Sequence, residues 1–459
     1  AQRWHGPGAQ AKEALAKRTG IRPRRWARPK WSSDVDDAVR RGYIGGHVQL
    51  LRMGSFPTAY YYDIRSAYPS IISELPLPKS WSPKREDTYT PGKIMALWRV
   101  SWDIPYREQS ITGPFPFRDI DGSICYPLRG EGWYWSAEVE AGIRFIQKFR
   151  GRYSIAEGLV WEDSGIRPFK VLVHDLYQRR TELKKQGDTR QLVYKLVLNS
   201  LYGVMAQTVG KAPLQNIAYA GLITGGVRAR MLEVLTDHWA DIISFATDAV
   251  ITRRPLNFPL GAGLGEWEGK ELSGLFILQP GFMVADQPDY IRSRGVVSET
   301  FLEEMRRLER DWRDYGCIED MHLTCRHRFM LSIKQGIRSR DKDRAIGTFR
   351  EIEKIIRPLS KSKHEASAVK TFLERRKLSG DFFETEERYC NLFTRFAVAG
   401  LSARMEDKVA TIYIIHCDGS IESRNLSYEQ TERLNEEGFS ALWFDEKERA
   451  IPTRWYKRA

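Results

Sequence analysis

Hydrophobic positions follow two rhythms along this chain. From residue 43 to about 165, short apolar runs between turn signals such as "DIDGS" and "RGEG" read as strands, with "IMALWRVSWDIP" and "SICYPL" the clearest. Within this region "YYYDIRSAYPSII" (60–72) puts Asp63 at the end of an aromatic run with the pattern of a buried strand. The rhythm then turns helical. In "PFKVLVHDLYQRRTELKKQ" (168–186) proline stands in the first turn and Phe169, Leu172, Leu176 and Leu183 follow one face. Gly187-Asp188 breaks that helix, Asp188 with Gln191 resembles a capping box, and "RQLVYKLVLNSLYG" starts a second helix, giving an αα-hairpin. "DIISFATDAVITRRP" (241–255) predicts two short strands bent around Thr247-Asp248. A further strand region to about 295 and a mainly helical tail complete the pattern, with Phe301, Met305, Leu308 and Trp312 on one face behind a Thr300–Glu303 box.

A chain of 459 residues exceeds one ordinary core and predicts two to four subdomains of mixed α/β (α+β) class. Its hydrophobic share of 42%, with 14 tryptophans and 20 tyrosines, excludes a disordered tail. The formal charge of +13 points to an anionic partner, nucleic acid foremost. Residues 1–31 hold nine Lys/Arg against one acid and end in "IRPRRWARPKW", which reads as an extended arm along phosphates or as a solvated terminus. Residues 337–377 hold 13 Lys/Arg against six acids, either a solvated helical face or a surface for duplex DNA. The five cysteines form no CxxC pair and no zinc-ligand spacing, which fits a reducing compartment. No run of 18 apolar residues and no h-region stands in the chain, so no membrane span or signal peptide is expected.

Three features carry chemistry. An ionised carboxylate at the end of a buried strand is costly unless it is paired or holds a cation, so Asp63 needs a partner. Asp248 lies in a strand turn 185 residues later. Between them a helix bears Lys195, Asn199 and Tyr202 at i, i+4 and i+7, hence on one face. Taken singly, Asp63 is more often a salt-bridge partner, Lys195 a solvated helix lysine and Asp248 a turn residue. Together, two carboxylates with a facing lysine suit phosphoryl transfer by two metal ions on a polyphosphate. Trp133, Tyr134 and Trp135 read as core aromatics.

These stretches resemble family B DNA polymerases. "DIRSAYPSI" looks like their motif A, "KLVLNSLYG" (195–203) matches motif B at every defined position, and "ATDAV" (246–250) resembles motif C. "YIGG" (43–46) matches the element that in this family touches the template just ahead of the polymerase domain. Order and spacing agree from about 43 to 295, with the overall look of the phage, viral and organellar-plasmid branch. The resemblance implies a right-hand fold: palm at 43–165 (with an insertion) and 209–295, fingers at 166–208, and thumb and C-terminal region at 296–459.

By the same resemblance Asp63 and Asp248 hold two Mg²⁺ ions, Mn²⁺ being a substitute, with the Ile64 carbonyl assisting. The amides after Asp63, with Ser66 and Ala67, cradle the triphosphate, and Tyr68 stacks under the sugar and excludes a 2′-hydroxyl. Lys195 and Asn199 bind the triphosphate and Tyr202 packs beside the nascent pair. Arg179 is a further phosphate ligand, with Arg180 the alternative. Tyr43, Gly45, Gly46, Thr247, Phe282, Arg292 and Arg294 fall at DNA-contacting positions. Three departures stand out: Ala246 replaces the first acid of motif C, Ala67 a leucine, and Pro280-Gly281-Phe282 the primer-gripping Lys-x-Tyr.

The implied function is template-directed addition of deoxynucleotides to a primer 3′-hydroxyl. The alternatives are a non-catalytic nucleic-acid-binding scaffold and a priming or template-independent transferase on the same palm. Expected partners are primer–template DNA, deoxynucleoside triphosphates and a terminal protein, separate exonuclease or replication subunit, with no membrane. The expected setting is the cytoplasm of a bacterial host carrying a phage or mobile element. Only 42 residues precede Tyr43, so no 3′→5′ exonuclease is expected in this chain.

Overall fold

A computed structural model describes residues 7–356 except 21–25, 28, 106–111, 119–123, 208–211, 288–289, 294–295, 297, 316–320 and 330–347. Beyond residue 356 it describes only 401–404, 409–415, 421–427, 443–444 and 450–451. The chain begins with helices α1 (Pro7–Arg18) and α2 (Ser33–Arg41), strands β1 (His47–Leu50) and β2 (Gly54–Ile64), and helix α3 (Ala67–Glu74). Next come β3 (Lys84–Glu86), β4 (Ala96–Asp103), β5 (Phe117–Arg118), β6 (Ile124–Cys125), β7 (Arg129–Trp135), α4 (Ser136–Lys148) and β8 (Arg152–Val160). Helices α5 (Lys170–Lys185), α6 (Gln191–Met205) and α7 (Ile217–His238) follow. Then come β9 (Ile242–Thr247), β10 (Ala249–Thr252), β11 (Trp267–Gln279), β12 (Phe282–Val284), β13 (Ile291–Ser293), α8 (Phe301–Tyr315), β14 (Met321–Phe329) and β15 (Thr348–Ile356).

The site rests on a seven-stranded sheet of order β1-β9-β10-β2-β11-β12-β13. Its strands come from two distant stretches of sequence, with β2 paired antiparallel to β10 on one side and β11 on the other. The pleat sorts the side chains of β2: Tyr62 and Ile64 are buried, while Tyr61 and Asp63 point to the half-exposed face. Between the two stretches, β3-β8-β4-β7 form a separate four-stranded sheet backed by α4. There Trp98, Tyr134 and Trp135 are at most 2% exposed, the core role expected of the latter two, whereas Trp133, expected in the core with them, is only partly buried. Helix α7 is apolar nearly all round because it is enclosed, packing against α3, α4, α6 and β9.

Helices α5 and α6 form where the periodicity puts them, and Phe169, Leu172, Leu176 and Leu183 are all buried. Their junction differs from the expected capping box. Asp188 Oδ1 accepts the Arg190 amide at 2.8 Å, an Asx-type turn two residues on, and makes no contact with a Gln191 cap.

Three other expectations are corrected. The basic N-terminal stretch is no extended arm: α1 packs on α6, and Ala11, Leu15 and Trp26 are fully buried. Its apolar positions Ala11 and Leu15 share a helical face, which outweighs the charge pattern. The region 43–165 is less uniformly stranded than its turn signals suggest, because α4 buries Val139, Phe145 and Ile146 at helical spacing. The tail beyond α8 is stranded rather than helical among the described residues, beginning with the β14–β15 hairpin. Helix α8 itself buries Phe301, Met305 and Leu308 as its pattern requires. Most of the basic zone 337–377 lies outside the described residues, and 348–356 within it is strand, not helix.

Candidate active site

Two carboxylates meet at the edge of β2. Asp63 is its penultimate residue, Asp248 occupies the turn between β9 and β10, and Ala249 pairs with Asp63 in register. The Ile64 amide donates to the Asp248 carbonyl at 3.0 Å, tying the two segments by their backbones. Among the described residues only Ser66, Arg150 and Thr247 are non-glycine residues with positive φ, and two of these flank the aspartates. Ser66 (φ 51°) turns β2 into α3, and Thr247 (φ 66°) presents Asp248. Such conformations persist only where the surroundings enforce them.

A cleft of about 860 Å³ opens over these residues and is lined by Asp63, Ser66, Tyr68, Lys195, Asn199, Tyr202, Thr247 and Asp248, as the sequence pattern anticipates. Burial raises the Asp63 carboxyl to about 7, aided by the Asp248 and Glu268 charges and opposed by the Ile64 amide and Lys195. Burial likewise raises Asp248 to about 6, against a backbone amide hydrogen bond. Two desolvated, mutually repelling carboxylates call for a cation. Among the described residues no three His, Cys, Asp or Glu gather closely enough to enclose a metal. Two hard oxygen ligands with further positions left to substrate and water is how Mg²⁺ is commonly held, so the donor set fits that ion.

Opposite the carboxylates the cleft is basic. Arg180, Lys184 and Lys185 of α5 line it with Lys195 of α6. Arg180 donates to Ser66 Oγ at 3.0 Å, and its Nε is buried without a partner among the described residues. The α3 N-terminus, opening just after Ser66, adds backbone donors facing the same space. Arg179 does not belong to this set. It pairs with Glu182 at 3.1 Å on the exposed side, one residue of helical rotation (about 100°) away. The sequence reading missed Lys184 and Lys185 as cleft residues, although Tyr177, Thr181 and Lys184 repeat at i, i+4 and i+7. It also missed Glu268, which only the β2–β11 register places opposite Asp63, and which pairs with Arg65 at 2.7 Å.

The "YIGG" element is built into this site. Tyr43 and Tyr202 share a hydroxyl–hydroxyl hydrogen bond of 2.8 Å, and the Tyr202 ring lies 4.6 Å from that of Tyr68. Gly46 lies so close to Thr247 that a Cβ there would stand 2.6 Å from its methyl. Arg228 of α7, 3% exposed, donates to the Ile44 and Gly45 carbonyls and forms two hydrogen bonds of 2.8 Å with buried Glu138 of α4. Neither residue was visible as functional in the sequence, since each reads as an ordinary helix charge.

Three DNA-contact expectations meet different ends. Phe282 is 5% exposed and packs against Phe301, so its ring serves the core and is not presented to a ligand. Arg292 is exposed on β13, over the Tyr290 ring. Arg294 lies outside the described residues. Ala246 ends beside the carboxylates, paired in register with Ala249.

Comparison with known proteins agrees with this geometry. Residues 20–214 match the family of organellar and viral type B DNA polymerases. That stretch is similar to family B polymerases of that type. It is 26% identical over 286 residues to a DNA polymerase of Acidianus bottle-shaped virus, covering 60% of this chain and 43% of that protein. It is 24% identical over 244 residues to the primer-independent DNA polymerase PolB of Escherichia coli, covering 47% of this chain and 28% of the other. The chain thus spans less than half the length of these curated relatives. Its fold is that of Phi29 DNA polymerase, solved with primer–template DNA and incoming nucleotide, at TM-score 0.53 and 14% identity over 77% of this chain and 67% of that one. No helix among the described residues is long and apolar enough to cross a membrane.

Proposed function

We propose that this chain is a template-directed DNA polymerase that adds deoxynucleotides to a primer 3′-hydroxyl. One observation carries the reading: Asp63 and Asp248, backbone-linked across β2 and β10, face Arg180 and Lys195 across a single cleft. Such a site separates a cation-binding floor from an anion-binding wall, the division that a metal-bound triphosphate requires. In this reading the seven-stranded sheet is the palm, α5 and α6 are the fingers, and the residues from 296 onward are the thumb and C-terminal region.

Asp63 and Asp248 would hold two Mg²⁺ ions, which when bound neutralise the charge on the transferring phosphoryl and favour the attacking 3′-oxygen. The chain's own groups do the positioning. Arg180, Lys195 and the α3 amides orient the triphosphate, Ser66 is held by Arg180, and Asn199 lines the same wall. Tyr68, half-buried against Tyr202, walls off the sugar, with its hydroxyl raised to about 12 by desolvation and by Asp248, so it stays protonated. Tyr43 links the template-side "YIGG" loop to that wall.

The acids ahead of Tyr43 support the absence of an exonuclease site in this chain. Glu13, Asp34, Asp36 and Asp37 pair with Lys17, Arg85, Arg40 and Arg41, respectively, which leaves no open carboxylate pair among them. Incubation with a mismatched 3′-end and Mg²⁺ but no nucleotides should leave the primer full length.

Primer extension with Mg²⁺ tests the main reading: extension that follows the template and needs the primer supports it. Similarity to an E. coli enzyme named as primer-independent favours one second reading, initiation without a primer. Product formed on template alone would establish it. A terminal protein, a separate exonuclease and a phage or mobile-element setting in a bacterial cytoplasm belong to the same proposal.

A further inference from the structure

A glycine-rich loop, "LGAGLGEW" (260–267), leads into β11 beside the turn that carries Asp63. Leu260 and Trp267 pair across its base. Inside it the Glu266 carboxylate accepts the Gly263 amide at 2.6 Å, and a Cβ on Gly261 would run into that carboxylate. Gly265 holds a φ of 79°, in the left-handed region. Two arginines pin the loop: Arg65 Nε donates to the Gly261 carbonyl at 2.7 Å, and Arg230 to the Gly265 carbonyl at 2.8 Å. The Arg65 backbone adds two more bonds, accepting the Gly265 amide at 2.8 Å and donating to the Glu266 carbonyl at 2.9 Å. Arg65 stands two residues after Asp63, so the loop and the carboxylate turn form one unit.

This unit meets α5 through a single side chain of the helix and a single carbonyl of the loop. Tyr177 Oη donates to the Ala262 carbonyl at 2.7 Å, and both residues line the cleft. Three residues along the helix, Arg180 reaches Ser66. Helix α5 is thus fastened twice to the segment after Asp63, directly at Ser66 and through the loop at Arg65. The loop is no phosphate cradle, which would need open amides: those of Gly261, Gly263 and Gly265 donate to Trp267, Glu266 and Arg65. What it presents to the cleft is an acceptor for a hydroxyl. Tyr177 is only half-buried, so its bond competes with water and adds little to the stability of the fold. Its effect falls on how α5 sits over the carboxylates.

We infer that Tyr177 is a positioning residue whose bond to the Ala262 carbonyl latches α5, and Arg180 with it, over the cleft when a triphosphate is bound. This rests on the polymerase reading. Tyr177 touches no reacting atom and acts through the 260–267 loop and Arg65. A ring without the hydroxyl fills the same space but leaves the carbonyl to water, so the cleft opens more readily and the nucleotide leaves sooner.

The test is equilibrium binding of an α,β-imido deoxynucleoside triphosphate with Mg²⁺ to the full chain on primer–template, beside nucleotide-dependent extension by the same preparations. The proteins are the wild type, Tyr177→Phe, Gly263→Ala and the double variant. Tyr177→Phe should bind the analogue roughly fivefold more weakly and raise the nucleotide KM by a similar factor, the scale of one hydrogen bond. Its kcat, primer–template affinity and melting temperature should stay at the wild-type level. Gly263→Ala sets a Cβ 2.8 Å from the Glu266 carboxyl carbon and so disturbs the loop beside Ala262. It should weaken analogue binding as well, and adding Tyr177→Phe to it should weaken binding no further. Wild-type affinity in Tyr177→Phe overturns the latch, as does a loss that falls only on melting or on DNA binding. Additive losses in the double variant overturn the route through the loop. Analogue binding is read without catalysis and wild-type extension reports on the polymerase reading, so either can fail alone.

Discussion

The Ile64 amide donates to the Asp248 carbonyl at 3.0 Å, and this bond places two carboxylates from distant parts of the chain together at the end of β2, in the middle of the sheet. Without a cation the arrangement opposes stability, because each carboxyl is desolvated and Asp63 also feels Asp248.

Replacing Asp63 or Asp248 by Asn should therefore abolish primer extension while leaving primer–template affinity within a few-fold. In metal-free buffer at neutral pH each variant should melt at or above the parent temperature, since a repelling charge is gone. Extension assays and melting scans check both halves. Substantial activity in either variant would remove that residue from the site. Ala246→Asp is the converse case and should leave activity unchanged or improved.

The same carboxylates set a pH dependence. Folded-state values of about 7 for Asp63 and about 6 for Asp248 lie above the unfolded value near 4, so the folded state holds these protons more tightly. Their contribution to stability is fully present below about pH 4 and is lost as pH rises through 6 to 7. Melting scans in EDTA should show this decline, and Mg²⁺ should reverse it above pH 7. A melting temperature indifferent to Mg²⁺ at pH 8 would contradict the two-carboxylate cation site.

The cations of α5 and α6 should separate by their facing. Lys195→Ala and Arg180→Ala should each weaken nucleotide use by roughly 2–4 kcal/mol, the scale of a charge-assisted phosphate contact in a closed site. Arg179→Ala should change it little, because its partner is exposed Glu182. Steady-state nucleotide dependence decides this, and an Arg179 effect equal to that of Arg180 would reverse the assignment.

Tyr68 packs against Tyr202 in the wall of the cleft, where the proposed reading puts the sugar. Tyr68→Val should raise ribonucleotide incorporation relative to deoxynucleotide, read from competing extension reactions. A constant ratio would leave Tyr68 as a core tyrosine only.

The Arg228–Glu138 pair holds the "YIGG" loop from within the core. Arg228→Met alone should cost about 3–5 kcal/mol by denaturant titration, because Glu138 is left buried and unpaired. Arg228→Met with Glu138→Leu should recover much of that loss while template-dependent extension stays impaired. Equal losses in the single and double variants would show that the carboxylate is not the source of the cost.

What the sequence determined by itself was local and short in range. The helical rhythm of 168–203 forms α5 and α6, because amphipathic spacing and a glycine break act over a few residues. The aromatic run before Asp63 and the apolar strands around Asp248 form the sheet because their alternation matches the pleat. Lys195, Asn199 and Tyr202 face the cleft because the helix geometry that aligns them is intrinsic. Tertiary structure decided what depends on register and enclosure. It buried α1, whose charges suggested a solvated arm, because Ala11 and Leu15 gain more from the packing of α6 than the neighbouring lysines lose. Strand pairing alone put Glu268 beside Asp63 and Lys270 beside Tyr61, residues more than two hundred positions apart. It also chose Arg180 over Arg179, since one helical step separates a cleft-facing guanidinium from one turned to water.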